Sequence, residues 1–172
     1  MKRLSVVLIL LLLVSCASVI RKDLMETGTR NPDLAALVQD PDVHRNKLFI
    51  LGGIIAHTSV TPQESEIEAL YVPVNSLGRT KKASEPTGRF LAVYPKEKGV
   101  LDPLIYKRNR RITIAGVFTG TAKGMLDKME YVFPVFTIVQ IHLGKEVRYV
   151  EIYPYYDYPY WGPYWEPYWW WY

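Results

Sequence analysis

KLFILGGIIAH, residues 47–57, is the stretch on which the fold turns. It is rich in apolar and β-branched residues, the composition of a strand. Gly52-Gly53 at its centre marks a place where that strand bends or bulges. Residues 58–63, with Pro62, read as a connection, and SEIEALYVPV, residues 65–74, reads as a second strand. Ile67, Ala69 and Tyr71, or their alternate neighbours, face the core. The two strands make a long, strongly bent hairpin.

Downstream, residues 75–87 form a polar loop with a basic cluster at Arg79, Lys81 and Lys82. GRFLAVY, residues 88–94, is a third strand with Phe90 and Ala92 on one face and Leu91 and Val93 on the other. Residues 95–109 suit a turn leading into a short helical piece. RITIAGVFT, residues 111–119, is a fourth strand, residues 120–128 a turn-rich connection, and residues 129–143 a long fifth strand, with Pro134 as its possible break. The expected fold is therefore mainly β: a small antiparallel five-stranded barrel of the oligonucleotide/oligosaccharide-binding (OB) kind with a short N-terminal helix. A small β-sandwich is the alternative. Repeated prolines and the lack of long crossover helices count against a parallel sheet.

Upstream, Asn31 reads as a helix cap with Pro32 at the first helical position, and Leu34, Leu37 and Val38 share one face until Pro41 stops the helix. A helix this short must lie on the domain, and it is expected to plug one end of the sheet. Residues 16–30 mix charged and small residues without clear periodicity and read as a tether. Residues 1–15 begin with Lys2 and Arg3 and continue as an apolar run too short for a comfortable span of about 20 residues. They read as a secretory leader. Leu13-Val14-Ser15-Cys16 looks like the lipobox of bacterial lipoproteins, with cleavage before Cys16 and lipidation of its thiol. An ordinary leader with an incidental cysteine, or an uncleaved anchor, is the alternative. Ala17 as the second mature residue resembles the outer-membrane sorting pattern. With its single cysteine given to lipid, the domain is expected to hold no disulfide and no thiolate metal site.

The formal net charge of +4 falls to about +2 once Lys2 and Arg3 leave with residues 1–15, which is not a nucleic-acid binder's balance. His44, His57 and His142 lack the close spacing of metal ligands. Ser59, Ser65, Ser76 and Ser84 lie in no nucleophile-elbow context. Glu64, Glu66 and Glu68 alternate and fall on one strand face, either a cation-binding row or a solvated one. Gly116, Gly120 and Gly124 lack the strand-loop-helix context of a phosphate loop, and turn geometry explains them better. Two basic runs, Arg79-Lys81-Lys82 and residues 107–111, either face anionic lipid or lipopolysaccharide phosphates or protect a loop and an edge strand. No catalytic residues, cofactor site or metal site is expected.

Residues 153–172, YPYYDYPYWGPYWEPYWWWY, hold all five tryptophans of the chain. Recurring prolines favour extended structure over helix. Tyr and Trp combine an apolar body with a polar edge, as at membrane–water interfaces. The tail contacts the headgroup layer, offers stacked rings to a glycan or protein partner, or has no defined contact.

Gly88-Arg89-Phe90, residues 99–103 (GVLDP), residues 110–116 (RRITIAG) and residues 131–135 (YVFPV), in that order, resemble the Slp family of Gram-negative outer-membrane lipoproteins. The resemblance implies an outer-membrane lipoprotein linked to starvation or stress, with an OB-like domain and no established catalytic residues. The expected division is a leader at 1–15, a lipidated tether at 16–30, the β-domain at 31–150 and the aromatic tail at 151–172. The expected function is a structural or interaction role in the envelope, bound to the membrane through Cys16 on the periplasmic face. The alternative is a binding module for a glycan, lipid or envelope protein; nucleic acid is not an expected partner.

Overall fold

A computed structural model describes residues 17–81 and 84–147. The leader, Cys16, Lys82 and the aromatic tail lie outside the described residues. In chain order the elements are helix α1 (Lys22–Thr27), strand β1 (Thr29–Arg30), helices α2 (Leu34–Gln39) and α3 (Pro41–His44), and strands β2 (Leu48–Val60), β3 (Glu64–Val72) and β4 (Arg89–Pro95). A 3-10 turn at Lys96–Lys98 precedes β5 (Arg110–Leu126) and β6 (Met129–Glu146).

Strands β2, β3 and β4 form an antiparallel meander. β4 pairs in parallel with β6, β6 runs antiparallel to β5, and β5 returns to pair with β2. This closes a five-stranded barrel and leaves β2 bonded on both sides. β1 adds two residues alongside the start of β2. The barrel is the OB-like one expected, with a parallel β4–β6 contact that strand patterning does not show.

Inward residues of the five barrel strands meet around Phe136, whose ring packs edge-on to Phe49 and Phe90 and tilted against Phe118. Ile67, Ala69, Tyr71, Phe90 and Ala92 face this core as their alternation requires. Leu37 of α2 inserts into the same cluster with Leu34 beside it, so the short helix does plug the barrel.

Several boundaries differ from expectation, each for a local reason. Asp33 caps α2, its carboxylate accepting from the Ala35 N–H, whereas Asn31 takes a left-handed backbone (φ 55°). The Asn31 amide instead brackets Val74, accepting from its N–H at 2.7 Å and donating to its carbonyl at 3.0 Å. Pro41 ends one helix and opens the next. The register of β2 runs unbroken through Gly52 and Gly53, and the shift falls between Ile55 and His57. Gly52 serves close approach: a Cβ there would lie 2.4 Å from the Val72 carbonyl oxygen. The helical piece before β5 is only the 3-10 turn and a turn in which Asp102 accepts from the Leu104, Ile105 and Tyr106 N–H groups. Residues 120–126, expected as a connection, extend β5, so the β5–β6 hairpin turns only at Asp127-Lys128, with Asp127 left-handed (φ 56°).

Candidate functional site

The first described residues are fastened to the barrel. The Leu77 carbonyl accepts from the Ser18 hydroxyl at 3.1 Å and from the Val19 N–H at 3.0 Å. The Arg21 N–H donates to the side-chain oxygen of Gln140 on β6 at 2.9 Å. Ile20 (1% exposed) and Leu24 (8%) join Ile50, Val74 and Ala115 in a second apolar cluster on the outside of the barrel, with Val19, Met25 and Leu48 against it. The segment read as a tether is therefore folded from Ser18 onward. Its apolar residues are too few to show a period, and their partners come from β2, β5 and the residues after β3.

Residues 75–80 lie over this face. The Asn75 carboxamide oxygen accepts from the Leu77 and Arg79 N–H groups, which fixes a tight loop. The Gly78 carbonyl accepts from the buried Thr113 hydroxyl at 2.7 Å. Gly78 itself sits at φ 73°, close under Val19 and Met25. The loop thus binds the N-terminal segment on one side and β5 on the other.

Beyond the loop, Arg79, Arg111, His142 and Lys145 line a cavity of about 180 Å³ with Thr80, Thr113 and Gly144. The Arg111 guanidinium donates to the Lys81 carbonyl at 3.2 Å. Thr113 stands opposite both Gly52 and His142 in register, so the cavity lies on the outer face of the β2–β5–β6 sheet. One residue from each sequence basic run, Arg79 and Arg111, meets here; Gln140, Gly144 and Lys145 had no signal in the sequence. Lys107 pairs instead with Glu146 at 3.1 Å. The Val147 N–H donates to the Asn109 carbonyl at 2.8 Å, next to the start of β5.

The other candidates stay apart. Glu64, Glu66 and Glu68 do share the outer face of β3, and Glu68 forms an ion pair with Arg89. Partial burial, reinforced by Glu64 and Glu68, pushes the Glu66 carboxyl up, against a smaller opposing effect of His57. His44 packs against the Phe49 ring, and His57 stands opposite Glu68. The buried Ser65 hydroxyl accepts from the Leu101 N–H, a structural role. Gly116, Gly120 and Gly124 all lie within β5, where register shifts bend the strand. Among the described residues no group of three or more His, Asp or Glu side chains comes together as a metal site, and no helix is long and apolar enough to cross a membrane. A separate cavity of about 360 Å³ lies between α2 and the start of β6, lined by Leu34, Val38, Tyr131 and Pro134 among others.

A solved chain described as Schizosaccharomyces pombe Pot1pC bound to single-stranded DNA (CGGTTACGGT) aligns with 63% of this chain and 83% of its own, at 11% identity and a TM-score of 0.28. An uncharacterized protein of Haemophilus influenzae is 33% identical over 52% of this chain, and the match spans 47% of that protein. The outer membrane protein Slp of Escherichia coli is 27% identical over 71% of this chain, and the match spans 63% of that protein. The chain thus spans between about half and two thirds of the curated relatives it matches. The family model of the outer membrane lipoprotein Slp family matches residues 13–172. The match begins at Leu13, in the stretch that resembles a lipobox, and runs through the barrel, in agreement with the order of motifs, and the chain belongs to the outer membrane lipoprotein Slp family.

Proposed function

We propose that residues 1–15 are removed, that the thiol of Cys16 carries lipid, and that the domain sits on the periplasmic side of the outer membrane in a structural or interaction role without catalysis. The observation that carries this reading is the fastening of Ser18 and Val19 to Leu77. Two residues of chain reach at most about 7 Å, so a lipid on Cys16 keeps the barrel against the bilayer. Two or more acyl chains hold such an anchor stably where one does not. The family resemblance supports an association with starvation or stress.

Intact mass spectrometry of protein from the membrane fraction tests the anchor. A chain beginning at Cys16 with added acyl mass is expected, and Cys16→Ser is expected to lack it. An unmodified wild-type chain refutes the anchor. Immunoblots of growing and nutrient-starved cells test the stress association, with more protein per cell expected in starvation.

The cavity between α2 and β6 favours a second reading, a binding module for a glycan, lipid or envelope protein. Filling it with Val38→Trp is expected to abolish pull-down of such a ligand and to leave membrane attachment intact. Binding that survives the substitution removes this cavity from consideration.

A further inference from the structure

We propose that Leu104 and Ile105 enter the headgroup layer of the membrane that holds the chain, with Lys107 and Arg108 against its anionic lipids; the proposal deepens the anchored reading above and rests on it.

Leu104 and Ile105 are consecutive aliphatic residues left 85% and 52% exposed. One exposed aliphatic side chain is ordinary, whereas an adjacent pair held outward marks a contact surface. The pair is fixed from both sides. Ahead of it, Leu101 is buried in the core, and its N–H donates to the Ser65 hydroxyl at 3.0 Å. Asp102 closes the turn, its carboxylate accepting from the Leu104 N–H at 2.8 Å and its carbonyl from the Ile105 and Tyr106 N–H groups. Behind it, Tyr106 packs against the core, and its carbonyl accepts from the Thr58 hydroxyl at 2.7 Å. The loop is thus a built projection, and little further ordering is needed when it meets a surface.

Charge points to lipid as the surface. Lys107 and Arg108 follow the apolar pair at once and are exposed. Over residues 96–110 five basic residues stand against two acidic ones, Glu97 and Asp102. Lys107 also meets Glu146 at 3.1 Å, an exposed ion pair weak enough to yield to a lipid phosphate. In a bilayer with anionic headgroups the aliphatic side chains leave water while the cations stay at the level of the phosphates. The other exposed apolar tip, Met125 and Met129 on the β5–β6 hairpin, lacks this bias. Its Lys123 is paired with Glu130 at 3.0 Å, and its Lys128 is matched by Asp127.

Position agrees with charge. The loop leads into β5 at Arg110, the opposite end of that strand from the Asp127-Lys128 turn. Along the first residues of β5 runs the chain that fastens the N-terminal segment: the Gly78 carbonyl accepts from the Thr113 hydroxyl, and the Lys81 carbonyl from the Arg111 guanidinium. Eight residues separate Ile105 from Thr113, which places them at most about 28 Å apart. The Val147 N–H donates to the Asn109 carbonyl, so the described domain also ends beside the loop. The Tyr- and Trp-rich sequence starts six residues later, and its amphipathic rings suit the same headgroup layer. The attachment of the N-terminal segment, the apolar loop and the end of the domain therefore gather at the head of β5.

The full, lipidated protein labelled at Leu104→Cys with a thiol-reactive nitrobenzoxadiazole dye, in vesicles of phosphatidylethanolamine and phosphatidylglycerol, tests this. Its emission is expected to lie to the blue of that from the same dye at Asp127→Cys, and to be quenched by nitroxides on lipid headgroups rather than by dissolved iodide. Because the dye is itself apolar, Ile105→Asp is added to the labelled chain, and the emission is then expected to return to that of Asp127→Cys. Leu104 and Ile105 are exposed, and an unchanged thermal midpoint shows that the fold is kept. Quenching by iodide would overturn the proposal. Emission shielded from both quenchers, which puts the aromatic tail or a second protein over the loop, would overturn it too, as would a spectrum that Ile105→Asp leaves unchanged. Wild-type protein treated with the dye reads the anchor separately, since a lipidated Cys16 takes up none. Uptake refutes the anchor, and C16S/L104C then reads the loop alone with the same quenchers. No uptake in wild type together with iodide quenching at Leu104→Cys upholds the anchor and refutes the loop contact.

Discussion

At the scale of single residues, Gly52 and Asn31 bear the tightest demands. Gly52→Ala forces a Cβ against the Val72 carbonyl in a strand hydrogen-bonded on both sides. A loss of about 1–3 kcal/mol is expected in urea unfolding, as for other overpacked sites. Asn31→Gly keeps the left-handed backbone and loses both bonds to Val74, at about 1–3 kcal/mol. Asn31→Ala adds about 1 kcal/mol of backbone strain, so the alanine variant is expected to melt below the glycine one. Glu66 gives a pH signature. Its raised carboxyl means that the fold favours the protonated form, so its contribution is full below the ordinary carboxylate pKa and is lost as pH rises through the elevated native value. Glu66→Gln is therefore expected to show higher stability than wild type at neutral pH, with the difference closing in acid. The sequence showed that the glutamates share a face, because alternation alone decides that. It hid the role of Asn31, because a left-handed asparagine bonded 43 positions away looks like a helix cap when only its neighbours are read.

Among the elements, the N-terminal segment departs furthest from its sequence. A tether tolerates any small substitution, but Ile20 is buried against the barrel. Ile20→Ala is expected to cost about 2–4 kcal/mol in denaturant unfolding, the range for truncating a buried aliphatic side chain. An unaffected midpoint would return the segment to the status of a linker. Strand positions were legible where one face is buried and the other is not, as in β3 and β4, because period-two alternation reports burial directly. The β5–β6 hairpin beyond Gly120 was not legible. Thr121, Lys123 and Met125 are exposed there, and the opposite face holds only the small Ala122 and Gly124 against the Phe133 ring, too little apolar pattern to mark a strand in the sequence.

For the whole molecule, barrel closure through β2 and β5 sets which surfaces share a side. The outer face carrying the N-terminal segment and the 75–80 loop is expected to meet the membrane, and the tip of the β5–β6 hairpin to stand away from it. Nitroxides at Ser76→Cys and Asp127→Cys in the lipidated protein in vesicles check this by power saturation, with lipid-soluble oxygen expected to favour the first and a water-soluble nickel reagent the second. The five strands of the barrel were legible from the order of apolar runs and turns, whereas the two-residue β1 was not. The convergence of Arg79, Arg111, His142 and Lys145 was not, since the β5–β6 register brings the last three together and the fold of the 75–80 loop onto β5 adds Arg79. The bond from Arg21 to Gln140 spans 119 positions, and it also orders events in time. Contacts this remote in sequence form late, after the cost of closing a long loop has been met. As the chain emerges from its amino end, Ser18 to Leu24 must wait for β5 and β6 before their full binding surface exists. Until then Ile20 and Leu24 have only Ile50 and Val74 to pack against, and completion of the last strand, which supplies Gln140, closes the set.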